Sequence, residues 1–63
     1  MEKLGHLIEH WIEHSKGHTD RYEEWAVKIK DSYPEVAEKL REAAQKFREG
    51  EKLLEEAARI LGR

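Results

Sequence analysis

A chain of 63 residues has room for one small domain, and such a domain buries only roughly 60% of its unfolded surface. The lack of cysteine excludes disulfides, thiolate metal sites and thiol redox chemistry, which leaves a metal ion or a partner subunit to support so small a core. Twelve Lys and Arg against 14 Asp and Glu, net −2, exclude a general attraction for nucleic acid, and no apolar run nears the ~18 residues of a membrane span.

The opening "MEKLGH" has no signal-peptide core, so a soluble cytoplasmic protein is expected. Charged residues make up 41% of the chain, and its wealth of Glu, Lys, Arg, Ala and Leu is thermophile-like and suits long amphipathic helices.

The first predicted element covers about residues 3–30. Leu4, Ile8, Trp11, Ser15, His18, Tyr22, Trp25 and Ile29 follow at steps of 4, 3, 4, 3, 4, 3 and 4, the register of one helix face. Inside it, "SKGHTD" carries loop signals: Gly17 can end a helix, and Asp20 with Glu23 can open another. A loop would reset the register, which instead runs straight through. One continuous helix is therefore expected, with a three-helix bundle as the alternative.

The turn falls at 31–34. Pro34 disfavours helix at the residue before it, and "SYPE" offers a capping box with Ser32 as N-cap and Glu35 three positions on. The second helix is expected over about 35–61, stopped by Gly62. Val36, Ala37, Leu40, Ala43, Ala44, Phe47, Leu53, Leu54, Ala57, Ala58, Ile60 and Leu61 form a stripe wider than a two-stranded seam needs. Glu35–Lys39, Glu42–Lys46 and Glu55–Arg59 are helix-supporting pairs on a solvated face. Gly50 interrupts the pattern and marks a place of close helix contact.

Two helices joined by a short turn make an antiparallel hairpin, an all-α single domain over 1–63. Alone, it leaves much of both stripes in water. Pairing into a dimeric four-helix bundle removes that surface, so a homodimer is expected, with no nucleic-acid or membrane partner and any other protein partner left open.

The histidines fall at 6, 10, 14 and 18 in "HLIEHWIEHSKGH", and the chain has no others. A step of four advances about 400°, so each imidazole lies ~40° further round than the last. The ladder spirals from His6, nearly outside, through the flanking His10 and the edge position His14, to His18 in the seam. Histidines one turn apart can chelate a single transition metal. His10–His14 and His14–His18 are the best pairs, with His6–His10 a more exposed third, and two chains together can offer four imidazoles. Without thiolates, such a site suits nickel or zinc, with cobalt and copper also compatible. Glu9 and Glu13 face away from the adjacent histidines.

Two other readings compete with this one. His18 near Ser15 can form a polar core layer that fixes register in a metal-free assembly module. Alternatively, stacked imidazoles that cannot all take up protons cheaply make a pH switch. An enzyme is not expected: no nucleophile elbow or phosphate loop occurs, and the Glu-x-x-His spacing of di-metal carboxylate bundles is missing.

The block "HLIEHWIEHSKGH", continued by "YEEWAVK", resembles a family of small, uncharacterised prokaryotic helical proteins, mostly archaeal. Their pattern is a "HLIEHWIEHN" block, a further His, an aromatic with "WA.K", and a second Glu/Ala/Leu-rich helix. The positions that match are His6, Glu9, His10, Trp11, Glu13, His14, His18, Trp25, Ala26 and Lys28, while Gly17 stands where a better helix former is expected. The resemblance implies a helical hairpin and no particular activity.

Overall fold

The computed structural model of the protein describes residues 2–62. Two helices account for nearly all of it: α1, Glu2–Ile29, and α2, Pro34–Leu61, each of 28 residues. They lie antiparallel in a hairpin 48 × 14 × 10 Å. α1 runs without a break through Lys16–Thr19, and no non-glycine residue has positive φ among the described residues.

The turn is closed by backbone alone. Ser32 N and Tyr33 N both donate to Ile29 O, at 3.1 and 2.7 Å, and Ala37 N donates to Tyr33 O at 2.9 Å. Tyr33, at φ −136 and ψ 67 and kept out of the helical region by the proline that follows, is the N-cap residue of α2. Pro34 takes the first helical position, where its missing N–H costs no hydrogen bond. The Ser32–Glu35 capping box is therefore not formed, and the helix has no side-chain cap. Gly62 ends α2 in right-handed conformation at φ −73, its N–H reaching Ala58 O at 3.0 Å.

The contact between the helices corrects the expected seam. α1 meets α2 through Ile8, Ile12, Ser15, Thr19, Tyr22, Ala26 and Ile29, whereas Trp11 and Trp25 stay 46% and 52% exposed. The reason lies opposite, on α2. Ala37 and Ala44 on α2 and Ala26 on α1 are fully covered, at 0% exposure, so the backbones approach too closely for an indole to fit between them. The broad residues are displaced to one flank. Leu4, Trp11, His18 and Trp25, each seven residues apart, share a stripe there beside Leu7 and His14.

The other flank is polar. Lys16 reaches Glu55 at 4.0 Å and Arg48 pairs with Glu23, bridging α1 to α2 along that edge. The expected pairs within α2 give way to shorter ones: Lys39 binds Glu42 at 3.3 Å and Lys46 binds Glu49 at 3.5 Å, both three residues on. The hairpin thus has one ion-paired edge and one apolar, histidine-bearing edge.

Candidate metal centre

The apolar edge is where the ladder converges. His14 Nε2 and His18 Nε2 lie 3.1 Å apart, with ring centroids at 4.6 Å and planes at 85°. One imidazole donates to the other through the nitrogens that face outward from the helix. A tetrahedral ion held at ~2.05 Å by two imidazoles separates its nitrogens by about 3.3 Å, and a square-planar one by about 2.9 Å. The observed gap falls between the two. The separation of the two nitrogens is of the size such a bite requires.

His18 is held from two sides. Its ring stacks on Tyr22 at 6.0 Å and meets Phe47 of α2 at 6.2 Å, while Tyr22 and Phe47 pack at 5.5 Å. This aromatic cluster surrounds the His18 ring on the side toward α2. His14 is exposed and has no such support.

The other two candidates are placed differently. His10 stacks on His14 at 6.1 Å with planes 24° apart, and no hydrogen bond joins the two rings among the described residues. His6 is exposed, and no contact joins it to the others among the described residues. No third His, Asp or Glu joins His14 and His18 in a metal-sized group among the described residues. The single hairpin therefore offers two ligands of four.

One residue behind the histidine pair lies a polar layer that sequence reasoning placed wrongly. Ser15 does not join His18. Its Oγ donates to Glu51 Oε2 at 2.6 Å, and Thr19 Oγ1 lies 3.0 Å from the same oxygen and 3.1 Å from Ser15 O. Thr19 has one hydroxyl proton to share between those acceptors. Glu51 is only 7% exposed. Its burial has a sequence signal: Ala37, Ala44, Glu51 and Ala58 recur at steps of seven, which puts Glu51 in the contact stripe.

Beside this layer the apolar edge opens into a groove of about 580 Å³, lined by Ser15, Lys46, Phe47, Gly50, Leu53 and Leu54. A Cβ built on Gly50 meets nothing within 4 Å. Gly50 is thus not a point of close contact inside the hairpin, contrary to expectation, but a gap in its open face. No described helix is long and apolar enough to cross a membrane.

Residues 4–61 match the family model described as "Domain of unknown function (DUF8180)". An uncharacterized protein of Archaeoglobus fulgidus is 53% identical over 62 residues, a span covering 98% of this chain and 100% of that protein. No solved structure matches the chain.

Proposed function

The chain belongs to the DUF8180 family, and for it we propose a transition-metal-binding function served by His14 and His18. The protein acts as a non-enzymatic, cytoplasmic homodimer, two hairpins forming a four-helix bundle. The single observation that carries the reading is the 3.1 Å approach of the two Nε2 atoms, on a face where the aromatic cluster positions one of them. Nickel or zinc suits the imidazole pair best, with cobalt and copper as further candidates. The role is to carry, store or sense the ion.

The test is equilibrium binding of Zn²⁺, Ni²⁺, Co²⁺ and Cu²⁺ to the full chain and to single alanine variants. His14→Ala and His18→Ala are each expected to weaken uptake at least ~100-fold, since each removes one of two converging nitrogens. His6→Ala leaves binding unchanged, and His10→Ala costs only a few-fold. Equal binding by the parent and His18→Ala would falsify the assignment.

A metal-free assembly module is the second reading, favoured by the unpaired apolar edge itself. Under it the polar layer is Ser15, Thr19 and Glu51, the histidines line the rim of the interface, and no ion of the four binds.

A further inference from the structure

Resting on the metal reading above, we infer that the metal site is shared between two copies, lies on their two-fold axis, and makes the ion a clamp on an antiparallel dimer. The first step concerns surface. The hairpin exposes 5278 Å², whereas a globular monomer of 7.5 kDa exposes ~4,200 Å². The excess of about 1,000 Å² is close to the ~800 Å² that each partner buries in a standard interface. The apolar edge offers a surface for such an interface, with Leu7, Trp11, Trp25, Phe47 and Leu53 exposed along it. The opposite edge already spends its charges on cross-helix ion pairs. The occupant that fits an apolar face of this length is a second hairpin presenting the same face.

Symmetry then selects the orientation. If the turns of the two hairpins lie at the same end, α1 packs on the partner's α2. At the level of His14 and His18 that helix offers Phe47, Gly50 and Leu54, none of them a ligand, since Glu51 is turned inward to Ser15 and Thr19. If the turns lie at opposite ends, α1 packs on α1 of the partner and each residue meets its mirror position in the sequence. Lys16 is at the middle of α1, so an axis crossing there sets His14 against the partner's His18 and His18 against the partner's His14. The same axis sets Leu7 against the partner's Trp25, both nine residues from Lys16. Four imidazoles then surround one point, which completes the sphere that one chain leaves half filled. Because the ion touches both chains, it tightens the dimer, and the dimer tightens the ion by the same factor.

The test uses the full chain with a spin label on Ser32→Cys in the turn, a unique site because the chain has no cysteine, and Zn²⁺ as the diamagnetic probe. The expected result is one zinc per two chains by native mass spectrometry. Label-to-label distance is expected near 45 Å, about twice the rise from Lys16 to the turn. Zinc is expected to strengthen dimerisation at least ~10-fold. Trp25→Glu, which leaves the histidine pair intact, is expected to weaken both dimerisation and zinc affinity. A distance under about 25 Å means parallel hairpins and overturns the inference. So does one zinc per monomer with affinity indifferent to Trp25→Glu, although the metal reading then survives. A dimer that takes no zinc in any form overturns the metal reading and the shared site together.

Discussion

Glu51 brings a carboxylate into the contact between two helices whose other buried positions there are mostly alanine, and it does so with two hydroxyls donating to a single oxygen. A buried acceptor set of this kind contributes little net stability while satisfied and is costly when broken. Glu51→Ala takes the acceptor from the Ser15 hydroxyl and leaves Thr19 with the Ser15 carbonyl alone, and is expected to destabilise the fold by about 1–3 kcal/mol. Glu51→Gln retains an acceptor oxygen and is expected to lose less than half of that, a ranking that urea denaturation of the three proteins resolves. His18 differs in kind. Its neighbours Tyr22 and Phe47 pack against the ring without a hydrogen bond, so truncating it removes the imidazole that faces His14 while leaving the interior polar layer untouched. The identity of these residues was plain in the sequence; their partners were not. Ser15 and His18 fall on one register, but a hydroxyl buried between helices bonds whatever acceptor the opposite helix supplies.

For the helices, continuity of α1 through "SKGHTD" follows from register outweighing composition. Gly17 is helical, and an added Cβ there meets nothing within 4 Å. The glycine therefore costs backbone entropy without serving a turn. Gly17→Ala is expected to raise stability by about 1 kcal/mol, seen as a higher urea midpoint with an unchanged slope. A break in α1 would instead make the substitution neutral or harmful. The two ends of α2 show the opposite balance. Proline at its first position and a right-handed Gly62 at its last leave both caps to backbone geometry, which is why the Ser32–Glu35 signature did not become a hydrogen bond. Pro34 lets the helix begin after Tyr33, one residue later than a Ser32 cap allows.

The hairpin as a whole is long and thin, with a radius of gyration of 14.6 Å where a compact chain of 63 residues has about 11 Å. No large side chain among the described residues is fully covered. A fold with so little interior is expected to draw stability from association, which makes its melting temperature depend on concentration. Thermal scans over a hundred-fold range of protein concentration are expected to show Tm rising by several degrees for the parent and staying flat for Trp25→Glu. A flat Tm for the parent would mean that the hairpin stands alone.

The all-α class, the two helices and the turn between them were legible in the order of residues, because helical periodicity, a single proline and short connections are local properties of a chain. The spacing of the histidines was equally local, and it limited convergence to neighbours one turn apart. The face that α1 turns toward α2 was not legible. Two stripes one residue apart run the length of α1: one holds Leu4, Trp11, His18 and Trp25, the other Gly5, Ile12, Thr19 and Ala26. Both repeat every seven residues, and hydrophobicity favours the first. Packing chose the second, since covered alanines draw the backbones together and leave no depth for indole rings. That one choice sends the tryptophans and His18 to the open edge and turns Glu51 inward. It also brings Phe47 against His18, so that His18 and His14 meet Nε2 to Nε2 on a surface left uncovered by the hairpin itself.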